Sequence, residues 1–400
     1  MTESNRIIIT GMQLLLENEW AQDYAVIIEG GIIKNVILAD DIKAFLPAKL
    51  YEFPEDYYLI PGLIDLHIHG ANGHDVMDGT AKALTEISHA LAAEGVTGFL
   101  ATTMTASHDH IGLVLGEIAN ARSDKKGAAI LGAHLEGPFI SPDKIGAQKY
   151  DAIEIPDIDL ITHWQTLAKS VIKLVTLAPE LPGALQLIKA LNEMGIIVSA
   201  GHTNATYAET NHAIKAGCTH ATHLFNAMRG IHQREPGAVG ALLLSEDINA
   251  ELIVDGLHLH PAIVEMALRL KGKDKLLLVT DAMRAKCLGE GQYDLGGQMV
   301  TVKANAAMLA DGTLAGSTLR MPEAIKNMVQ FTQCSLADAI YMASYNPARV
   351  LGMENRKGSI ANGKDADMVV MNSAFDVVMT MRAGVEVYVM PAKADIQSGL

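Results

Sequence analysis

Two histidines one residue apart, His67 and His69 in the run Leu59-Ile-Pro-Gly-Leu-Ile-Asp-Leu-His-Ile-His-Gly70, offer the first chemistry in this chain. On an extended strand, residues two apart share a face, so both imidazoles emerge together as half of a metal site. Other polar residues close apolar segments in the same way: His134 with Glu136, His202, His223, Asp255 with His258, and Asp281. Any one alone reads as an ordinary polar strand end; their recurrence points to one shared site. A catalytic divalent ion takes three protein ligands and leaves a position for water, and neutral imidazoles and carboxylate oxygens are suitable donors. Glu136, His202 and His223 meet that requirement. Such a centre acidifies water but leaves the proton to be moved by another group, and Asp281 is placed to accept and deliver it.

The elements that must position these residues are eight short segments rich in Val, Ile, Leu and Ala, at 59–69, 95–105, 128–138, 172–180, 196–203, 220–227, 248–258 and 276–283. Stretches with helical spacing separate most of them, including 80–94, 185–194, 207–216 and 261–270, and Gly95, Gly195 and Gly217 stand where left-handed helix ends are cheap. Strand alternating with helix eight times predicts an α/β fold, a closed (β/α)8 TIM-like barrel with chemistry at the C-terminal strand ends. The two ends of the chain carry short alternating strands instead, such as Arg6-Ile-Ile-Ile-Thr and Val385-Glu-Val-Tyr-Val. We therefore expect residues 1–58 and 346–400 to meet in a small β-sandwich outside a barrel of 59–345, with 285–345 supplying a lid or hairpin and the closing helices.

Composition narrows the function classes. With 49% hydrophobic, 19% charged and 5% aromatic residues over 400 positions, the chain can build a large aliphatic core. The net charge of −15 disfavours a broad basic surface for nucleic acid or anionic lipid, yet leaves room for a small phosphorylated ligand held by a local cation. Cys218, Cys287 and Cys334 form no CxxC pair, so any metal takes His and carboxylate ligands. Met1-Thr-Glu-Ser-Asn-Arg does not read as a leader and no apolar run approaches a membrane span, so a cytoplasmic location without membrane partners is expected.

Eight blocks run in a familiar order: Pro61-Gly-Leu-Ile-Asp-Leu-His-Ile-His-Gly, His134-Leu-Glu-Gly-Pro-Phe, Ser199-Ala-Gly-His-Thr-Asn-Ala, Thr222-His-Leu-Phe-Asn-Ala-Met, Arg234-Glu-Pro-Gly, Asp255-Gly-Leu-His, Val279-Thr-Asp-Ala-Met and Leu314-Ala-Gly-Ser. By these the chain resembles the amidohydrolase superfamily, and within it the N-acetylglucosamine-6-phosphate deacetylases. The HxH is only a superfamily mark; the HLEGP, HLFNAM and REPG blocks together are far more specific. The resemblance implies metal-dependent hydrolysis of N-acetyl-D-glucosamine 6-phosphate to D-glucosamine 6-phosphate and acetate by a metal-bound hydroxide. It implies zinc or iron on Glu136, His202 and His223, with Asp281 as general base and then acid. Members differ at the HxH pair, so His67 and His69 with Asp281 either hold a second ion, bridged by Glu136, or form a hydrogen-bonding framework. By the same resemblance Asn226, Ala227 and Arg234 contact the sugar phosphate, Arg234 across a homodimer interface, while His258 stands near the scissile amide and Ala315, Gly316 and Ser317 line the opposite wall. Some relatives carry His where this chain has Gln148, which cannot titrate near neutrality, so Ala147 and Gln148 are taken as binding residues only. The alternatives are a deacetylase of another acylated sugar phosphate, such as N-acetylgalactosamine 6-phosphate, and a barrel that binds a metabolite without catalysis.

Overall fold

A strand buried on both faces has no polar side to turn outward, so continuous apolar runs pack best as a parallel sheet sheathed by helices. The computed structural model describes residues 6–122, 124 and 126–391. In it the eight segments supply Leu63–Ile68, Val96–Thr103, Ala129–Glu136, Ile172–Leu177, Ile197–Ala200, His220–Ala221, Asn249–Leu252 and Leu276–Leu278 as neighbouring parallel strands in sequence order. Every residue of the first two is buried. The ring closes just beyond the eighth strand, where Ala282 bridges Ile68 and the Asp281 N–H donates to the His67 carbonyl at 2.8 Å. Beneath this seam the Asp65 carboxylate accepts from the Thr280 hydroxyl at 2.6 Å. Asp281 thus meets the HxH pair because the barrel has to close there.

Helices Ala81–Ala92, His108–Ala121, Ile158–Leu167, Ala184–Glu193, Tyr207–Ala216, Gly237–Leu244 and Pro261–Lys271 connect successive strands, and Met321–Thr332 follows the eighth. Their starts are capped locally: the Thr80 hydroxyl accepts the Ala83 N–H at 3.2 Å, and Thr206 with Glu209 forms a reciprocal capping box. Each such cap contributes about 1 kcal/mol. Between the eighth strand and Met321–Thr332, a three-stranded antiparallel sheet of Gly291–Leu295, Gln298–Lys303 and Ala306–Met308 forms the expected hairpin element.

The ends of the chain build two further sheets. One has the order Ile32–Leu38, Tyr24–Glu29, Arg6–Thr10, Lys49–Glu52; the other Val385–Val389, Val377–Arg382, Met368–Met371, Tyr58–Pro61, Gln13–Leu16, Glu19–Ala21. Ile9, Val26 and Ile28 from the first share a core with Leu14, Leu59, Met368 and Val370 from the second. The outermost parts of the expected sandwich segments, 1–5 and 392–400, lie outside the described residues. No helix among the described residues is long and apolar enough to cross a membrane.

Candidate metal centre

The C-terminal strand ends converge on one cavity of about 580 Å³, lined among others by His69, Glu136, His202, His223, His258 and Asp281. Three of these residues leave ordinary strand geometry: His202, His223 and Asp281 have φ of 46°, 32° and 46°. That left-handed backbone is uncommon outside glycine and clusters at functional sites. Gly146 sits against this corner at φ 58°, and a Cβ there would lie 3.1 Å from the His202 ring.

Glu136 is the hub. Its Oε1 lies 3.3 Å from His202 Nε2, 3.2 Å from His223 Nε2 and 3.3 Å from His67 Nε2, while Oε2 lies 3.3 Å from His69 Nε2. Asp281 Oδ1 stands 3.4 Å and 3.2 Å from the Nε2 atoms of His67 and His69. The donor atoms therefore form two adjoining groups, Glu136 with His202 and His223, and His67 and His69 with Asp281. Ligand bonds of about 2.1 Å in a tetrahedron give edges of about 3.4 Å, which matches these separations.

The outer nitrogens explain how the inner ones point. The Nδ1 atoms of His202, His69 and His67 face the Lys144 carbonyl at 3.0 Å, the Thr102 carbonyl at 3.3 Å and Glu251 Oε2 at 3.0 Å. These oxygens only accept, so each Nδ1 carries hydrogen and each Nε2 lone pair is turned to the centre. His67 Nε2 is buried without a hydrogen-bond partner among the described residues. A donor set of this kind fits a divalent cation.

Charge agrees with that reading. Burial opposes charge on His67, but Asp281, Glu136 and Glu251 outweigh it and raise the ring well above the usual range. His69 is likewise pushed up to about 9 against burial by Asp281 and Glu136. Glu136 is held well below the ordinary carboxylate value despite burial, by His67, His202 and His223. Asp281 is lowered too, again against burial and chiefly by His67 and His69.

The remaining expected residues divide. Ala147, Gln148, Asn226, Ala227, His258 and Gly316 line the cavity. His258 is braced at Nδ1 by Asp255 Oδ2 at 2.6 Å. Ala315 and Ser317 are not among the cavity's lining residues: both flank Gly316 and are buried, and the Ser317 hydroxyl donates to the Thr280 carbonyl. Gln148 lines the cavity, but both ends of its amide are engaged. Its Nε2 donates to Glu136 Oε2 at 2.6 Å and its Oε1 accepts the Thr105 N–H at 2.7 Å. Arg234 lies on an exposed loop outside the cavity lining. His134 sits inside the barrel, its Nε2 on the Thr176 hydroxyl at 2.7 Å, and burial lowers its pKa to about 3, so the ring is neutral. Sequence reading missed Glu251 and Gln298, whose Nε2 donates to the Ala147 carbonyl at 2.6 Å. For Glu251 the available signal was a lone charge in the run Ala250-Glu-Leu-Ile-Val254.

The sequence profile of the amidohydrolase family matches residues 58–387. The chain belongs to the amidohydrolase family. This amidohydrolase is 44% identical over 391 residues to an N-acetylglucosamine-6-phosphate deacetylase of Bacillus subtilis, covering 96% of this chain and 97% of the relative. It is 36% identical to an N-acetylgalactosamine-6-phosphate deacetylase of Escherichia coli O157:H7, covering 92% and 96%. The crystal structure of N-acetylglucosamine-6-phosphate deacetylase from Pasteurella multocida superposes with a TM-score of 0.90 at 31% identity, covering 95% of this amidohydrolase and 98% of that chain.

Proposed function

We propose that this amidohydrolase hydrolyses N-acetyl-D-glucosamine 6-phosphate to D-glucosamine 6-phosphate and acetate. The observation that carries the reading is the convergence of Glu136, His202, His223 and Asp281 on one cavity that also holds Asn226, Ala227 and His258. Glu136, His202 and His223 would hold zinc or iron, and His67, His69 and Asp281 a second ion; an ion bound there would polarise the acetyl carbonyl and acidify water. Asp281 is ionised at neutral pH, takes the proton of the attacking water, and returns it to the departing amine, which is otherwise too basic to leave. His258, braced by Asp255, donates to the acetyl oxygen. Asn226 and Ala227 hold the sugar phosphate, and Arg234 reaches the phosphate in the neighbouring subunit of a homodimer, its planar fork suited to two hydrogen bonds.

The test pairs metal quantification with acetate release from the glucosamine and galactosamine epimers. The glucosamine phosphate is the expected preferred substrate, and Asp281→Asn should lose about 10²–10⁴-fold in kcat while keeping the ion on Glu136, His202 and His223. Preference for the galactosamine epimer would transfer the assignment to that sugar. Release from neither, or near-normal turnover by the variant, would end this reading or the role of Asp281.

A further inference from the structure

Glu251 is a carboxylate with no solvent contact, on the seventh barrel strand, Asn249–Leu252, beneath the metal centre. Burying an ion costs several kcal/mol unless hydrogen bonds replace its water. Here they do: Oε2 accepts from His67 Nδ1 at 3.0 Å and from the His223 N–H at 3.1 Å, and Oε1 accepts from His220 Nε2 at 3.0 Å. The Glu251 backbone carbonyl takes the Leu224 N–H at 2.9 Å. Glu251 does not line the cavity, so it acts on substrate only through its partners.

We propose that Glu251 is the positioning residue that makes His67 a metal ligand, and so decides whether the second ion binds. This rests on the reading of His67, His69 and Asp281 as a second site. The His67 ring can rotate or change tautomer in two ways, and only one turns the Nε2 lone pair to Asp281 and Glu136. An ionised acceptor on Nδ1 selects that one and makes the opposite nitrogen a stronger donor to a cation. The buried His67 Nε2, 3.3 Å from Glu136 Oε1 and 3.4 Å from Asp281 Oδ1, is the other end of the same arrangement. His220 donates to Glu251 Oε1 and keeps that second oxygen from turning inward. The Glu251–His67 pair on one side, with the Glu251 bond to the His223 N–H on the other, sets the spacing of the two groups of donors.

The experiment titrates zinc alone into metal-stripped protein against a chromophoric chelator, for the unaltered chain, Glu251→Gln and Glu251→Ala. Gln keeps the shape and an acceptor but removes the charge; Ala removes both. The second zinc should weaken on the order of 10-fold in Glu251→Gln and 100-fold in Glu251→Ala, while the first, on Glu136, His202 and His223, stays bound. Where the Ala variant does not fold, Gln decides. Unchanged affinity for the second zinc in a folded variant overturns the proposal alone, as does equal loss of both ions, which marks Glu251 as a residue of the fold. A single zinc on the unaltered chain overturns the two-ion reading itself.

Discussion

Protons and metal ions compete for the same imidazole lone pairs, and in this centre the carboxylates decide how hard. His69 is held up to about 9 and His67 is raised well above the usual imidazole range, both against burial, so at neutral pH an entering cation must displace ring protons. The sign follows directly. Affinity for metal rises as pH climbs through the titration of these rings, and falls as protons return to them. Asp281 is ionised throughout that range, since its pKa lies below the ordinary carboxylate value, so it does not set the acid limb of activity. We expect that limb to move to lower pH when the metal concentration is raised, as rate profiles at two zinc concentrations will show; a limb indifferent to metal would belong to another group. The residues of the candidate centre were legible because each closes an apolar segment. Glu251 was not, since its burial is a property of the closed barrel and no spacing connects it to His67. Gln148 showed its type but not its company: only the fold reveals that Glu136 and Thr105 already occupy its amide.

At the scale of elements, the antiparallel strands of residues 291–308 reach the cavity. Leu295 lines the cavity, and Gln298, at the start of the second strand, donates to the carbonyl of Ala147. That bond steadies the segment whose next residue, Gln148, grips Glu136. A neutral hydrogen bond of this kind contributes about 0.5–1.5 kcal/mol. Gln298→Ala should therefore raise KM by roughly 2–10-fold with metal content unchanged; steady-state kinetics with an unaltered KM would detach the hairpin from substrate binding. Strand and helix positions were readable from periodicity, and the helices at 207–216 and 261–270 fall within a residue of their expected bounds. The segment 220–227 was not readable in full. Only His220–Ala221 is strand, because the chain then leaves the sheet to carry His223, Phe225 and Ala227 at positive φ.

Across the whole molecule, the longest pairing between the two ends of the chain among the described residues is the one that leads into the barrel. Tyr58–Pro61 lies antiparallel to Met368–Met371, and it leads directly into the strand that carries the HxH pair. We propose 1–58 and 346–400 as the unit that anchors this strand. Val369, Val370, Met368, Met371, Val377, Met379 and Met381 are all buried there. At about 1.5–3 kcal/mol for each buried side chain, their loss exceeds about 10 kcal/mol, comparable to the whole stability of a domain. A chain ending at residue 366 should appear in the insoluble fraction; a soluble, metal-loaded product on size exclusion would show the barrel to be self-sufficient. The same pairing sets a clock on synthesis. Tyr58–Pro61 leaves the ribosome roughly 15–60 s before its partner, at about 5–20 residues per second across about 300 intervening residues. For that interval the nascent chain carries an unfinished sheet edge beside the strand that leads to His67 and His69, so the first element of the candidate centre to be made is among the last to be secured.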